Sequence, residues 1–477
     1  FSINNTDPLT RNSLQTPGDN FNRAGAFLQY AINYKNFLNL SLTGRVDGTS
    51  KLVNPVKYDP SDPFVAYWTG NLSFVFSDAF KLPKQISYGQ FRLSYATTGR
   101  DPRAAYVKGN RFTSSTFTGG GFAPFVTQGN PDLRPEFSKN FEVGGVLKFF
   151  KNRISLDVAY YQNRTTNQII NPRLSYASGA ILKWMNGGTV ENSGYEAILT
   201  AKVFQNKKFT WDVSVNFARN RNLIVEMPAG LPTFYNSDTW VANIRNIATK
   251  GGNAYTLAAN RYQRNTNGDI LISATTGLPL RLADYTPVAD RQPDFTVGLQ
   301  NSFQIGDFGI SFLLDIRRGG DVWNGTEQFL YSRGRSLKTL DRETPRIVRG
   351  VLADGLQNTS NPTPNNIVIT PLFRSDFYTA GFAEEDFIER DIHWVRLRDV
   401  TLSYKLSDKL VKKQRIFKSA SVFVTGTDLF IITNYSGADP SANANNVSSR
   451  GGIGGIGMDF GNIPNPRGLS LGLRCTF

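Results

Sequence analysis

The one histidine of the sequence is its first candidate for chemistry. His393 lies in the stretch ERDIHWVR, two residues after Asp391, and a histidine beside an aspartate can act as the base of a hydrolytic triad. No local motif marks a nucleophile that would complete such a triad. We therefore expect His393 to be a polar residue at the rim of the fold, and we expect this chain to have no catalytic residues and not to be an enzyme.

Metal and cofactor sites are also weakly supported by the residue types. The one cysteine, Cys475, excludes an intrachain disulfide and a cysteine-based metal cluster. The segment 265–269 reads NTNGD, which is similar to half of a calcium-binding loop but lacks the early acidic ligands and the later glutamate. The glycine runs at 119–121 and 451–457 do not stand between a strand and a helix, as a phosphate-binding loop would. We expect a glycine turn, two flexible loops and neither a metal nor a cofactor.

Ligand contact is the remaining kind of chemistry, and aromatic residues in the long loops are candidates for it. Such rings can stack on a sugar or a peptide, and loops carry function more often than the elements they connect. Packing of a loop on itself is the common alternative. The candidate ligand-binding residues are Trp240, Tyr255, Tyr262 and Trp323, with the charged pair Asp315 and Arg317.

The elements that must position these residues are strands. Thirteen segments alternate apolar and polar residues with a period of two, which predicts strands with one apolar face. The predicted strands are Ala24–Tyr34, Leu38–Asp47, Tyr67–Ser77, Tyr88–Thr98, Ser138–Phe149, Ile154–Thr165, Ser193–Val203, Phe209–Asn220, Asp294–Ile305, Phe308–Arg318, Trp394–Leu406, Ser421–Thr433 and Arg467–Phe477. In the segment that begins at Trp394 the alternation slips, and we predict a β-bulge near Arg398–Asp399 that restores it.

Short turns and long loops alternate along these strands. Tight connections are predicted at Lys35–Asn36, Lys151–Asn152, 206–208 and Gly306–Asp307, whereas 221–293 and 319–393 are long. Short turns on one rim and long loops on the other are typical of outer-membrane barrels.

The polar faces of the strands carry charges at mid-strand. In the core of a soluble sandwich these charges would be buried without partners, at a cost of several kcal/mol each. The wet lumen of a wide barrel accommodates them. We therefore predict that the lumen is lined by Arg45, Asp157, Asp212 and Asn216.

Composition agrees with a barrel and disfavours other classes. The 477 residues include 13% aromatics, and no apolar run approaches the roughly 18 residues of a membrane-spanning helix. The net charge of +15 could indicate nucleic acid, but the clearest basic cluster, 405–418, lies between two strands and is expected to be a solvated turn. We predict an all-β fold, a transmembrane antiparallel β-barrel with about thirteen strands in this chain, and no nucleic-acid partner.

The last strand has one fully apolar face. Leu469, Leu471, Leu473, Cys475 and Phe477 alternate with small or polar residues. A terminal strand of a soluble sandwich could look the same. In a barrel this segment would be the closing strand that removes a free edge.

Seven stretches of the sequence stand out as motifs. They are NPDLRPEFSKNFEVGG (130–145), NRISLDVAYYQNRT (152–165), GGTVENSGYEAIL (187–199), RRGGDVWNGT (317–326), VRLRDVTLSY (395–404), ITNYSGADP (432–440) and PNPRGLSLGLRCTF (464–477). Taken together, these stretches resemble the SusC/RagA class of TonB-dependent outer-membrane transporters. They occur in the order found in the family and cover nearly the whole chain.

The resemblance implies a 22-stranded barrel of a Gram-negative outer membrane that is closed by an amino-terminal plug. It implies energy supply through TonB, a SusD-like surface lipoprotein as a lid, contact with outer-membrane lipid, and import of a glycan or a peptide. Residues 1–477 would be the carboxy-terminal part of the barrel, with nine strands, the plug and the TonB-contacting segment lying outside this sequence. The resemblance also implies that the last strand, through Leu469, Leu471, Leu473 and Phe477, is an assembly signal.

Two functions follow as hypotheses. The first is TonB-dependent import through the barrel of a SusC-like transporter. The alternative is a split barrel that serves as a structural scaffold in a larger complex at the outer-membrane surface. A plug that accompanies the barrel would favour the first, and other proteins filling the lumen would favour the second.

Overall fold

The computed structural model describes residues 20–54, 63–115, 121–175, 177, 179–236, 244–407, 411, 416–441 and 455–476. Within these ranges one antiparallel sheet contains thirteen strands, and their order in the sheet follows the order of the chain. The strands are β1 (Arg23–Tyr34), β2 (Leu38–Thr49), β3 (Phe64–Phe74), β4 (Ile86–Arg100), β5 (Glu136–Phe149), β6 (Ile154–Thr166), β7 (Thr189–Gln205), β8 (Phe209–Glu226), β9 (Phe295–Ile305), β10 (Phe308–Arg318), β11 (Trp394–Lys405), β12 (Ser419–Thr433) and β13 (Gly468–Thr476). All thirteen predicted strands are confirmed, with β1 and β13 at the two ends of the order.

The predicted hairpin turns are present. Lys35 and Asn36 have positive φ values of 46° and 62°, the conformation of the tight turns that match strand twist. Lys151 and Asn152 repeat that conformation between β5 and β6. Between β9 and β10, Gly306 has a φ of +57°. These turns fix the register of the strands they join.

The predicted end of the third strand was wrong. β3 ends at Phe74, and Phe76–Ala79 forms a short helix, α1. The Phe80 amide donates to the Phe76 carbonyl at 2.9 Å, which closes the helical turn. The Phe76 ring packs against Gly89 of β4, where any side chain would collide with it. Alternation of apolar residues alone does not distinguish this turn from continued strand.

The predicted bulge is confirmed. The pairing of β11 shifts register between Leu397 and Asp399 against β12, and between Leu313 and Leu314 against β10. Arg398 is therefore the extra residue of the bulge and has no cross-strand partner in either pairing. Asp428, on the β12 side, has a positive φ of 48°.

The chain divides into two compact units. The first comprises 1–197, 221–234 and 249–251, and it contains β1 to β6. Its loops hold a 3₁₀ turn and several short strands. These elements are Ser50–Leu52, Phe112–Ser115, Gly121–Pro124, Thr127–Gln128, Ile169–Ile170, Leu182–Lys183 and Met185–Asn186.

The second unit comprises 198–220, 235–248 and 252–477, and it contains β9 to β13. The loop after β8 holds the short strands Thr233–Tyr235, Ile244–Thr249, Thr256–Ala259, Leu271–Ile272 and Thr286–Asp290. Later loops hold the strands Val322–Asn324, Arg346–Ile347, Val351–Leu352, Val368–Ile369, Ile388–Glu389 and Met458–Asp459, the helices α2 (Gly325–Ser332) and α3 (Phe377–Ala380), and the 3₁₀ turns Leu337–Thr339, Pro371–Phe373 and Glu384–Phe387. Among the described residues, no helix has the length and apolar character needed to cross a bilayer.

The long loops of the second unit have a hydrophobic core of their own. Its buried members include Ile244, Leu257, Trp323, Phe382, Phe387 and Met458. These residues come from three different connections between sheet strands. The loops are therefore folded structures that hold side chains in place.

Strand register sorts the side chains of the sheet into two faces. In the second unit Asn216 pairs with Gly298, which pairs with Asp315, which pairs with Arg396. The neighbouring row reads Val215, Leu299, Leu314, Leu397 and Phe430. Because side chains alternate across a strand, one face is polar and charged and the other is apolar.

Candidate functional site

Three polar side chains of β2 and β3 form a charged cluster in the first unit. The Arg45 Nε donates to Asp47 Oδ2 at 2.7 Å and to the Tyr67 hydroxyl at 3.0 Å. The Tyr67 hydroxyl also donates to Asp47. Arg45 and Tyr67 are cross-strand partners, so the cluster lies on the face that carries the mid-strand charges. The predicted lumen residue Arg45 thus has an acidic partner.

Asp157 of β6 also has a basic partner, Arg92 of β4. The guanidinium makes two contacts with the carboxylate, Nη1 to Oδ2 at 3.1 Å and Nη2 to Oδ1 at 2.8 Å. Strand β5 lies between them, and Gly144 is the β5 residue paired with Arg92. The absence of a side chain at Gly144 lets the arginine cross β5.

A longer charged network follows the bulge in the second unit. Arg398 Nη2 lies 2.9 Å from Asp315 Oδ2, and its Nη1 lies 3.3 Å from Asp428 Oδ1. Asp428 Oδ1 is also 3.3 Å from Arg396 Nη1, and Arg396 in turn pairs with Asp439. The bulge places Arg396 and Arg398 so that both reach Asp428. Alternating charges therefore continue from β10 to the loop after β12.

Residues from the strand ends and the loops meet at Trp394, and we call this group the Trp394 cluster. Its members are Tyr255, Arg291, Asp315, Arg317 and Trp394. The guanidinium carbons of Arg291 and Arg317 lie 5.8 Å and 5.2 Å from the centroid of the Trp394 ring. The indole N–H donates to Asp315 Oδ2 at 3.4 Å. Three of the predicted ligand residues, Tyr255, Asp315 and Arg317, are thus brought together.

Arg291 connects the Trp394 cluster to the loop between β12 and β13 by hydrogen bonds. It is 2% exposed, its Nη2 donates to the Pro440 carbonyl at 2.6 Å, and its own carbonyl accepts from Arg317 Nη2 at 2.6 Å. Burial, and then the positive charge of Arg317, lower the pKa of the Arg291 guanidinium to about 9. A cation over an aromatic face is attracted by the negative face of the ring, so the Trp394 ring holds both guanidinium groups at the base of the loops.

Asp439 is the acidic anchor of the loop between β12 and β13. It accepts from the Ser441 amide at 2.9 Å and the Asn465 amide at 3.3 Å. Burial would raise the pKa of its carboxyl group, but the hydrogen bonds from Arg396 and Ser441 outweigh burial and lower that pKa to about 2. Asp439 therefore ties two ends of this loop to β11 as a carboxylate.

Tyr262 and Trp323 are held apart from the cluster, in the interior of the loops. Tyr262 is buried, its hydroxyl donates to Asp386, and burial raises the pKa of that hydroxyl. Trp323 is 0% exposed, and its indole N–H donates to Gln328 Oε1 at 2.8 Å. The expectation that Trp323 stacks on a ligand is wrong, because its ring is buried and stacks on Phe460, with 6.1 Å between the ring centroids, and its indole N–H has a partner. The loop packs on itself at both positions.

The remaining predicted residues fall in different places. Asp212 and Asn216 are exposed on the polar face, opposite Ser302 and Gly298. Trp240 and Phe477 lie outside the described residues. Leu469, Leu471 and Leu473 are exposed on β13, at the end of the strand order.

The positions first considered for catalysis and metal binding have structural partners. His393 Nδ1 lies 3.1 Å from the backbone carbonyl of Asp391, whereas the Asp391 carboxylate pairs with Arg318. Asn265 Nδ2 donates to Asp269 Oδ2 at 3.1 Å, and Gly268 has a φ of +90°. The segment is thus a glycine turn in which an amide N–H points to the oxygen a cation would need. Within the described part of the chain, no group of three or more His, Cys, Asp or Glu residues is placed to hold a metal.

The sequence reasoning missed several charged residues of these networks. Arg92, Arg396 and Arg398 sit on the polar faces of predicted strands, so alternation could have indicated them. Asp439 lies in a loop, and its partner Arg396 is 43 positions away. No local signal connects that pair.

Comparison with known proteins gives one match to a family and several relatives. The family model described as "TonB dependent receptor-like, beta-barrel" matches residues 1–312. TonB-dependent receptor P3 of Formosa agariphila is 26% identical over 462 residues, which cover 92% of this chain and 44% of that protein. TonB-dependent receptor SusC of Bacteroides thetaiotaomicron is 21% identical over 361 residues, covering 73% of this chain and 32% of that protein.

A solved structure has the same fold. The structure of the RagAB peptide transporter aligns with a TM-score of 0.70 and 19% identity, over 96% of this chain and 48% of the matched chain. This chain spans less than half the length of these relatives.

Proposed function

This chain belongs to the TonB-dependent receptor β-barrel family, and from that premise we propose that the whole protein is an outer-membrane transporter of the SusC/RagA type. It imports its substrate through a barrel of which this chain supplies thirteen strands. Energy for import comes from TonB. A SusD-like surface lipoprotein covers the outer loops.

The observation that carries this proposal is the charge on one face of the sheet. Arg92 lies near the middle of β4 and Asp157 is the fourth residue of β6, and both side chains are only partly buried, at 32% and 36% exposure. The opposite face is apolar and exposed on several strands. A sheet with one wet, charged face and one apolar face suits a wide barrel in a bilayer.

The substrate is a glycan or a peptide, and the Trp394 cluster is the proposed contact region. Tyr255, Asp315 and Arg317 offer donors, an acceptor and a partly buried positive charge at the base of the loops. Such groups fit the hydroxyls of a sugar and the polar groups of a peptide equally well. The RagAB peptide transporter, which has the same fold as this chain, supports the peptide class, and the resemblance of the sequence to the SusC/RagA class is the reason the glycan class is retained.

Deletion of the complete gene tests the proposal. A strain without the protein should lose growth on one defined substrate class, supplied as a panel of oligosaccharides or as peptides of graded length. Uptake of the active class should stop when the proton-motive force is dissipated, because TonB depends on it. Unchanged growth and uptake on every member of both panels, with other proteins found in the lumen, would instead support the scaffold function.

A further inference from the structure

The short connections between the sheet strands are strongly basic, whereas the long connections are nearly neutral. Twelve Lys or Arg residues and three Asp or Glu residues lie in the short connections, which are 35–37, 75–85, 150–153, 206–208, 306–307 and 406–418. The long connections hold 24 basic and 22 acidic residues, and they are 50–63, 101–135, 167–188, 227–294, 319–393 and 434–467. Positive charge is therefore concentrated at the end of the strands where the chain turns tightly.

Hydrogen bonds join three of these turns into one edge of the first unit, which we call the basic rim. Its segments are 35–37, 75–85 and 150–153. The Val75 amide donates to the Phe37 carbonyl at 2.7 Å, and the Phe150 amide donates to the Gln85 carbonyl at 2.8 Å. Each turn is thus linked to the next one, and the basic rim is one folded structure.

Five basic side chains and one acidic side chain belong to the basic rim. The basic side chains are all exposed, and they are Lys35, Lys81, Lys84, Lys151 and Arg153. The acidic one, Asp78, accepts a hydrogen bond from the Ser77 hydroxyl at 3.1 Å. The ion pairs found among the described residues of the first unit join other side chains. The basic rim therefore presents a net positive charge to its surroundings.

Aromatic rings lie beside the basic rim, at the end of the apolar face of the sheet. Phe37 contacts Tyr34 and Phe74 edge to face, with centroids 5.6 Å and 6.0 Å away. Phe80 is 62% exposed and contacts Phe74 at 6.0 Å. Lys35 Nζ lies 5.2 Å from the centroid of the Tyr34 ring. Aromatic rings with adjacent lysines are typical of a membrane interface, where the lysine stem lies on apolar groups and the ammonium reaches the headgroups.

The apolar face stays open to lipid in a complete barrel. Additional strands would pair with the free edges at β1 and β13, and a plug would lie in the lumen against the polar face. The aromatic rings beside the basic rim are on the other side of the sheet. Short turns lie on the periplasmic side of outer-membrane barrels, so the headgroups beside the basic rim are those of the periplasmic leaflet.

We propose that the basic rim binds anionic phospholipid headgroups of the periplasmic leaflet. The binding side chains are Lys35, Lys81, Lys84 and Lys151. This inference rests on the proposed function, because that function places the sheet in an outer membrane. Lysines attract a headgroup with a net negative charge, such as phosphatidylglycerol, more than a zwitterionic one, such as phosphatidylethanolamine. Both headgroups contain a phosphate, so the preference reports the net charge of the lipid.

Competition between these two lipids measures the preference. The full-length protein is stripped of lipid in detergent and equilibrated with equal amounts of phosphatidylglycerol and phosphatidylethanolamine, and the retained lipid is quantified by mass spectrometry. We expect phosphatidylglycerol to be in excess at low salt and to lose that excess at about 1 M salt, where exposed charges are screened within ~3 Å. Equal retention of the two lipids at low salt would overturn the proposal.

Substitution then tests whether the basic rim is the source of the preference. The variant replaces the four lysines by glutamine, as Lys35→Gln, Lys81→Gln, Lys84→Gln and Lys151→Gln. Its excess of phosphatidylglycerol should fall about fivefold or more, since fivefold is the effect of one lysine near an anionic surface. Arginine at the same four positions keeps the charge and should keep the excess.

The control removes the same charge from exposed side chains of the long loops. Its changes are Lys250→Gln, Arg333→Gln, Arg335→Gln and Arg349→Gln. The control should retain the excess of phosphatidylglycerol. Equal losses in the two glutamine variants would show that overall charge, and not the basic rim, attracts the lipid. Equal heat stability of the two variants excludes misfolding as the cause.

Three failures are distinguishable. A full excess of phosphatidylglycerol in the glutamine variant of the basic rim, with normal import, would overturn this inference and leave the transporter function intact. If that variant kept its lipid preference but no longer sedimented with purified peptidoglycan, the basic rim would contact the cell-wall polymer instead of lipid. A full-length protein that stays dispersed without detergent would overturn the membrane placement in the proposed function and the lipid site with it.

Discussion

Arg92 and Asp157 form a two-point ion pair that passes over an intervening strand. The pair joins β4 to β6, with Nη2 and Oδ1 2.8 Å apart, and it crosses β5 at Gly144. Because both side chains are about one-third exposed, the pair itself contributes about 0–1 kcal/mol. The absence of a side chain at Gly144 matters more for stability than the ion pair does, because a Cβ there would collide with its neighbours.

Gly144→Ala should therefore lower stability. A Cβ at this position would lie 2.7 Å from the Val158 carbonyl oxygen and 3.2 Å from Arg92 Nη2. Overpacking of this kind costs about 1–3 kcal/mol. The measurement is the temperature at which the folded protein, which migrates fast on an SDS gel, converts to the unfolded form.

Gly44→Ala is the control for that experiment. Gly44 is also a mid-strand glycine, but a Cβ there meets no atom within 4 Å. It should leave the transition unchanged, or raise it slightly by reducing the freedom of the unfolded chain. If both variants lost the same amount of heat stability, the effect at Gly144 would come from replacing a glycine in a strand and not from the arginine that passes over it.

The two faces of β8 should respond differently to charge. Val213 pairs with Asn301 on the apolar face, and Ser214 pairs with Gln300 on the polar face. Val213→Arg should cost about 2–4 kcal/mol if it faces lipid near the bilayer midplane, whereas Ser214→Arg should be mild. Unfolding in lipid vesicles measures both. Equal tolerance, or a protein that stays dispersed without detergent, would contradict the membrane-spanning interpretation.

The strands could be predicted from the sequence because their pattern is local. A two-residue period over ten or more residues identifies a strand whatever it pairs with, and the slip near Arg398 even located the bulge. The same rule failed at Phe76, since one helical turn is too short to break the alternation visibly. The local pattern therefore predicted the strands of the sheet correctly but placed the end of β3 wrongly.

The interior of the loops could not be predicted in this way. Trp323 lies in a strand, Val322–Asn324, that pairs with Ile388–Glu389 and with Met458–Asp459. These segments belong to different loops and carry no repeating pattern. A tryptophan in such a loop looks accessible in the sequence, and only the long-range contacts show that it is buried.

Asp439→Asn should destabilise the protein in a pH-dependent way. The pKa of Asp439 is lowered to about 2 in the folded state, against an ordinary value of 3.8, so its contribution is complete above about pH 5 and is lost as pH falls toward 2. The substitution should cost about 2 kcal/mol at pH 7 and almost nothing near pH 2. Thermal unfolding of both proteins across this range is the measurement.

Asp386→Asn should change stability in the opposite direction from Asp439→Asn at pH 7. Burial raises the pKa of Asp386 above its ordinary value, and the hydrogen bond from Tyr262 only partly offsets this. Ionisation therefore costs stability as pH rises through the raised pKa. At pH 7 the variant should be as stable as the parent or more so, since Tyr262 can donate to the new amide oxygen. If Asp386→Asn lost as much stability at pH 7 as Asp439→Asn, a raised pKa of Asp386 in the folded protein would be contradicted.

Leu471→Ser should impair assembly more than stability. Leu402, Val424 and Leu471 form one cross-strand row on the apolar face of β11, β12 and β13, so Leu402→Ser is a matched loss of apolar surface. Each change removes about 1.5–3 kcal/mol of burial at most, and the two folded proteins should melt at similar temperatures. If β13 is read by the assembly machinery before the other strands can compensate, Leu471→Ser alone should sharply reduce the amount that reaches the outer membrane. Normal amounts of Leu471→Ser with a lowered melting temperature would show that Leu471 is a packing residue and not part of a signal.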